Sequence, residues 1–186
     1  MDGNARKASA AKTRVPGSIF LVGLMGAGKT SVGKVLARRL GKAFYDCDHE
    51  IERATGVKVP VIFDIEGEAG FRAREARVLA ELVTRTDIVL ATGGGAVTRE
   101  SSRRCLKERG TVLYLHASPE TLWGRVRNSR NRPMLKVGDP RERIAALYAE
   151  RDPLYRDIAD HVIESERDAV MRFARSFATG VVEDEA

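Results

Sequence analysis

The tightest constraint on this chain is Gly23-Leu24-Met25-Gly26-Ala27-Gly28-Lys29-Thr30, which follows the apolar run Ile19–Val22 and precedes the helix-like stretch Val32–Leu40. G-x-x-x-x-G-K-T between a strand and a helix is the pattern of a phosphate-binding loop. Glycines let the backbone turn sharply and aim several N–H groups at one point. The helix that starts there adds partial positive charge at the same spot. The pattern therefore predicts a nucleoside triphosphate site, with Lys29 reaching the β- and γ-phosphates and the Thr30 hydroxyl on Mg²⁺. The loop alone does not say what receives the phosphoryl group.

A loop of this kind needs a parallel sheet, and the rest of the chain has that rhythm. Apolar, β-rich runs recur at 18–22, 43–46, 87–91, 111–115 and 161–164. Helix-like patterns fill 28–40, 70–84, 99–109, 119–128, 140–151 and 167–179. Strands alternating with helices predict an α/β fold, a parallel sheet covered on both faces. Ligands are then expected beyond the carboxyl ends of the strands. Two stretches break the rhythm. Residues 48–70 read as a short helix, a valine-rich turn around Pro60 and Glu66-Gly-Glu-Ala-Gly70, and residues 128–140 are rich in Arg, Pro and Gly. Both are expected to be insertions over the site.

At 186 residues the chain is expected to form one domain, at 18–186, behind a basic disordered tail at 1–17. A short organellar presequence is the alternative reading of that tail. The net charge of +6 is unevenly spread. The tail holds four Arg/Lys against one Asp, and 121–143 holds seven Arg/Lys against Asp139 and Glu142, so the remainder is slightly acidic. Positive charge gathered in one segment suits a clamp on triphosphate better than a face for duplex nucleic acid. No apolar run is long enough to span a membrane. Cys47 and Cys105 lack metal-type spacing and read as reduced thiols, which with the missing secretory pattern predicts a cytoplasmic protein. His49, His116 and His161 are scattered and form no ligand set.

Candidate chemistry follows the strands. Asp46 and Asp48 flank Cys47 at the end of the second strand; in extended chain both carboxylates share a face. They could coordinate Mg²⁺ or accept a proton from a substrate hydroxyl; the alternative reading is a strand end with an Asp cap for a helix beginning His49-Glu50. Gly93-Gly94-Gly95 ends the third strand and is expected to let a ligand approach backbone N–H groups. Arg72 and Glu75, at i and i+3, are either a surface ion pair or an anion-binding arginine with its orienting carboxylate. Arg151 precedes Pro153, which is expected to end its helix and leave Arg151 where helix meets turn. Two such arginines could grip one carboxylate. Arg132, fixed before Pro133, is a candidate for stabilising charge on a transferring phosphoryl group, whereas Arg127 and Arg130 read as solvated.

Together these pieces resemble the shikimate kinase family: G-L-M-G-A-G-K-T at 23–30, F-Y-D-C-D at 44–48, E-G-E-A-G-F-R at 66–72, L-A-T-G-G-G-A-V at 90–97, R-P-M-L at 132–135 and E-R-D-P-L-Y at 150–155. The resemblance implies a three-layer α/β/α P-loop kinase fold with a five-stranded parallel sheet in the order 2-3-1-4-5. It also implies a substrate-binding region at 48–75 and a lid at 128–140. The implied reaction moves the γ-phosphoryl of ATP to the 3-hydroxyl of shikimate, in aromatic amino acid biosynthesis, with one Mg²⁺ per site. By motif position, Gly26, Ala27, Gly28, Lys29, Thr30 and Ser31 hold ATP, helped by Arg125, Arg132 and, more loosely, Arg167. Thr30 and Asp46 attend the metal, and Asp48 is the base and a shikimate ligand. Arg72, Arg151 and Gly93–Gly95 hold the rest of shikimate. The implied partners are shikimate and ATP alone, on a monomer without nucleic acid or membrane. Rival readings are another small-molecule kinase, such as one for gluconate, or a nucleotide-binding regulatory protein.

Overall fold

Three runs of branched and apolar residues, β1 (Ile19–Val22), β3 (Ile88–Ala91) and β4 (Thr111–His116), are buried on both faces or nearly so. Only the inner strands of a parallel sheet bury both faces in this way. The computed structural model, which describes residues 17–127 and 139–179, accordingly shows a five-stranded sheet in the order β2-β3-β1-β4-β5. Every pairing is parallel; Ile19 is in register with Val89 on one side and Thr111 on the other. The less apolar β2 (Ala43–Asp46) and β5 (His161–Glu164) are the edges. All five strands lie within a residue of the expected runs. The central position of β1 puts the glycine loop that follows it in the middle of the sheet's carboxyl edge, where such folds bind ligands.

Helices cover the sheet. α1 (Lys29–Leu40) buries Gly33, Leu36, Ala37 and Leu40 and ends at Gly41, whose φ of 69° makes the left-handed turn. α4 (Glu100–Arg109) packs between two longer helices, α3 (Val59–Leu82) and α6 (Pro140–Ile158). α5 (Pro119–Val126) is capped by Ser118, and α7 (Arg167–Thr179) lies against α1. Residues 1–16 of the expected basic tail and residues 128–138 of the expected lid at 128–140, Arg132 among them, lie outside the described residues.

Two prolines behave differently from the sequence expectation. Pro153 does not end its helix: α6 runs on to Ile158. Its ring removes the N–H that would bond Ala149, a penalty of about 3 kcal/mol. Beyond it, however, Tyr155 and Ile158 are buried and Arg156 bridges Asp152 at 2.8 Å. Burial of two large side chains outweighs one lost turn. Pro60, read as part of a turn, sits in the first turn of α3, where its missing N–H has no helical partner anyway. Gly67, at φ 67° and ψ −176°, then kinks α3, and the Glu66–Arg74 pair at 2.6 Å spans the kink.

The region between β2 and the kink has its own small core. Ile51 of α2 (Cys47–Thr55) packs with Ile62 and Phe71 of α3, and Val59, Phe63 and Val78 lean on them. Each fully buried side chain contributes about 1.5–3 kcal/mol. This satellite cluster lets α2 and the first half of α3 stand over the sheet edge as a lobe.

Candidate active site

The donor side is built by the loop at 23–28. Gly26 takes φ 83°, and a Cβ there would lie 2.7 Å from Val126 Cγ1, so only glycine fits. α1 begins at Gly28 with no capping side chain and no acid in its first turn. The positive end of the helix is therefore not offset by any side chain of its own first turn. Lys29 Nζ donates to the carbonyls of Gly23 at 2.7 Å and Leu24 at 2.9 Å, which holds the ammonium over the loop. A cavity of about 750 Å³ extends from Gly26, Ala27, Gly28 and Ser31 past Arg125 and Ser165 to Val170 and Met171. Arg125 bonds Gly26 O at 3.2 Å and Ser165 Oγ at 2.7 Å, tying α5 to the loop after β5. Arg167 opens α7 at the end of that loop, but its side chain lies outside the described residues.

Asp46 and Asp48 do converge, though not by sharing a strand face. The strand ends at Asp46, which caps α2: its Oδ1 accepts from the N–H groups of Asp48 at 3.0 Å and His49 at 3.4 Å. Asp48 therefore stands in the first helical turn, and the two-residue alternation of extended chain does not apply. The other oxygen of Asp46 accepts from Thr30 Oγ1 at 2.6 Å. One carboxylate thus links the start of α2 to α1. Asp48 keeps surface open to the cleft, yet the protein crowded around it raises its pKa to about 6, chiefly by desolvation and then by Asp46 and Glu75. Lys29 and Arg72 pull the other way. Cys47 between them is wholly buried; burial first, then the surrounding carboxylates, push its thiol well up, so it packs rather than reacts.

A second cluster of charged side chains gathers on Gly93-Gly94-Gly95. None of these has a positive φ, so turn geometry does not demand glycine here. Close approach does. A Cβ at Gly93 would lie 2.0 Å from Glu75 Oε1 and 3.5 Å from Asp48 Oδ1. At Gly95 it would lie 2.1 Å from Arg72 Cζ. At Gly94 it would lie 3.3 Å from Met25 N and 3.6 Å from Gly23 O, against the donor loop itself. The positions that side chains would take at Gly93 and Gly95 are occupied by the protein's own Glu75 and Arg72.

Arg72 and Glu75 are no surface pair. Their side chains are 11% and 3% exposed and meet at 2.7 Å, so the carboxylate fixes the guanidinium in place. Arg151, buried in the middle of α6, donates from Nη1 to Gly94 O at 3.4 Å. Among the described residues three buried side-chain atoms lack a hydrogen-bond partner: Arg72 Nε, Arg151 Nε and Glu75 Oε1. Buried polar atoms are rarely left so. All three belong to this cluster, which marks it as a place built for a polar ligand.

Some contributors had no role assigned from the sequence. Phe63 and the buried Phe71, with ring centroids 4.5 Å apart, pack together beside Arg72. Ser165, Val170 and Met171 wall the cavity. Tyr155 donates its hydroxyl to Gly94 O. Val170, Met171 and Tyr155 sit on helix faces with ordinary apolar spacing, which announces burial and not a site. Among the described residues no cluster of His, Cys, Asp or Glu is suited to hold a metal by itself, and no helix is long and apolar enough to cross a membrane.

A family model described as "Shikimate kinase" matches residues 25–181. A shikimate kinase of Burkholderia lata is 58% identical over 153 residues, 82% of this chain and 83% of that one. One from Nitrosospira multiformis is 52% identical over 172 residues, 92% of this chain and 88% of its own. Among solved structures, the shikimate kinase of Acinetobacter baumannii in complex with shikimate has a TM-score of 0.84 and 47% identity, covering 91% of this chain and 94% of that one. The Aquifex aeolicus shikimate kinase has a TM-score of 0.76 and 33% identity over 89% of this chain and 98% of that one. A Sinorhizobium meliloti gluconokinase, with a TM-score of 0.55 and 20% identity, shares the fold alone. Sheet order, donor loop and the glycine-centred cluster of Asp48, Arg72, Glu75 and Arg151 thus coincide with a match across most of the chain: this protein belongs to the shikimate kinase family.

Proposed function

We propose that this kinase transfers the γ-phosphoryl of ATP to the 3-hydroxyl of shikimate, with each step carried by the groups assembled around Gly93–Gly95. The observation that carries this reading is the pair of buried arginines, Arg72 and Arg151, on one glycine turn that packs against the phosphate loop; neither Nε makes a hydrogen bond, and that of Arg151 has only the carboxylate of Glu150 at 3.5 Å. Two guanidinium groups grip the ring carboxylate of shikimate. That anchors the ring, leaving its hydroxyls to Asp48 and to the backbone of Gly93–Gly95. Asp48, at a pKa of about 6, is ionised at neutral pH yet basic enough to take a proton from the attacking hydroxyl.

ATP lies along the cavity from Gly26–Ser31 to Arg125, with its phosphates on the loop N–H groups and Lys29. Phosphoryl transfer needs in-line placement and neutralised charge more than covalent help. Thr30 and Asp46, already joined at 2.6 Å, present an oxygen donor set that suits Mg²⁺. The ion, when bound there, neutralises charge on the β- and γ-phosphate oxygens. Arg132 is assigned to the phosphates by its motif position, and Arg167 to the nucleotide end. The same reading takes the protein as a cytoplasmic monomer without nucleic-acid or membrane partners.

The test is ADP release coupled to a dehydrogenase readout, with shikimate, gluconate and other sugar acids as acceptors. Turnover with shikimate well above the acceptor-free rate is expected. A rate with shikimate no higher than background hydrolysis would end this reading.

A further inference from the structure

α6 is fastened to the end of the sheet by three tyrosine hydroxyls, and only one of them touches the acceptor turn. Tyr148 Oη pairs with His116 Nε2 at 2.8 Å, and Tyr114 Oη donates to Asp152 Oδ1 at 2.7 Å. Tyr155 Oη donates to Gly94 O, the same carbonyl that accepts from Arg151 Nη1 at 3.4 Å. Tyr155 is wholly buried and its ring lies against that of Tyr114, centroids 4.9 Å apart. Residues 151 and 155 are one helical turn apart, so both reach the carbonyl from the same helix face.

We propose that the Tyr155 hydroxyl is a positioning group for the acceptor: by occupying Gly94 O as its stronger donor, it holds the glycine turn in place and keeps the Arg151 guanidinium, whose Nε lies 3.5 Å from Glu150 Oε1, from closing on that carbonyl, so that it can face an anion. The 3.4 Å contact is long for a hydrogen bond to a charged donor, which ordinarily closes to about 2.7–2.9 Å. Arg151 is therefore held off the carbonyl. Without the phenol, the half-buried Gly94 O keeps Arg151 as its side-chain partner, and leaving a partly desolvated acceptor half-satisfied is unfavourable. The guanidinium then closes on the carbonyl, a group it would otherwise offer to the carboxylate. Burial raises the Tyr155 phenol above its ordinary value, so it remains a donor throughout the working pH range. Gly94 also rests on the donor loop at Met25 and Gly23, so a shift of the turn is resisted from that side and falls on Arg151.

This inference rests on Arg151 being a carboxylate ligand, and its test separates the two claims. Steady-state kinetics and thermal melts are compared for Tyr155→Phe, Tyr114→Phe and Arg151→Lys in the full chain. Tyr155→Phe should raise KM for shikimate about tenfold, with KM for ATP and kcat within about twofold of the parent. Tyr114→Phe removes from β4 a hydroxyl that bonds the same helix, at Asp152, without touching Gly94. It should lower the melting temperature and leave KM for shikimate unchanged. Arg151→Lys should raise KM for shikimate by more than Tyr155→Phe does. If Arg151→Lys leaves that KM unchanged, the carboxylate reading fails. If it raises KM while Tyr155→Phe does not, the positioning role alone is overturned. A rise of both substrates' KM in Tyr155→Phe, or an equal rise of KM for shikimate in Tyr114→Phe, would mark a merely structural loss and overturn it as well.

Discussion

Gly95 lies flat against the guanidinium of Arg72: a Cβ at residue 95 would stand 2.1 Å from Arg72 Cζ and 2.2–2.3 Å from its two terminal nitrogens. The obstructing atoms are the far end of a long side chain, which can move aside. Gly95→Ala should therefore leave the fold standing while it displaces the arginine. KM for shikimate should rise at least about tenfold, the scale of one lost charged partner, with KM for ATP little changed. Gly110→Ala is the contrast: there the Cβ would meet Ser18 O at 2.6 Å and the Phe20 ring at 2.7 Å, far from the cluster. It should destabilise by about 1–3 kcal/mol without altering KM. Steady-state kinetics beside urea unfolding checks both, and a selective loss of stability in Gly95→Ala would contradict the reading.

The Asp48 carboxylate makes activity and stability depend on pH in opposite senses. Its pKa is raised from the ordinary carboxylate range to about 6 in the folded state. The folded protein thus binds this proton more tightly than the unfolded chain does, so ionising Asp48 works against folding. The penalty is absent below about pH 4, develops between about pH 4 and 6, and is complete above. Asp48→Asn should raise the melting temperature at pH 7–8, give no gain at pH 4, and abolish turnover. The parent's kcat/KM should fall as pH drops through about 6. Melting curves and rates from pH 4 to 8 check this; an equal gain at pH 4 and pH 8 would count against it.

Lys29 bonds two carbonyls of the loop it follows, so its loss has a structural and a chemical component. Net stability should fall by only about 1–2 kcal/mol in Lys29→Met. Turnover should fall by about a hundred- to a thousandfold or more, because a charge aimed at the transferring phosphoryl group is gone. Circular dichroism and single-turnover assays separate the two, and near-normal kcat would exclude the phosphate role.

Pro153 is exposed within α6, where it denies Ala149 O its helical donor. Pro153→Ala should stabilise the protein by about 1–3 kcal/mol, provided the helix keeps its line. A denaturant titration decides. A loss of stability would mean that the proline bend is needed to seat Tyr155 and Arg151.

The strands and the donor loop could be read from the chain because their signals are local. Glycine spacing, the Lys29-Thr30 pair and apolar runs of strand length depend on neighbours in sequence. What escaped was decided across space. Local propensity puts a helix end at Pro153, yet burial of Tyr155 and Ile158 carries α6 past it. The three glycines at 93–95 looked like room for a ligand; what could not be read is that Glu75 and Arg72 of α3 take the positions side chains would have at Gly93 and Gly95. Asp46 and Asp48 were legible as a pair, but the cap at Asp46 changed how they meet. Tyr155 stood within a motif read for its arginine, and nothing local distinguishes a tyrosine that orients a backbone carbonyl from one that fills a core.

The contact of Gly94 with Met25 and Gly23 sets main chain against main chain between the two halves of the site. The separation of donor from acceptor is thus a dimension of the scaffold, with no side chain in between whose replacement could lengthen or shorten it. A version of this protein adapted to a larger acceptor could not be reached by trimming that junction. Its variation would have to enter from the lobe of α2 and α3, where side chains with a small core of their own form the opposite wall.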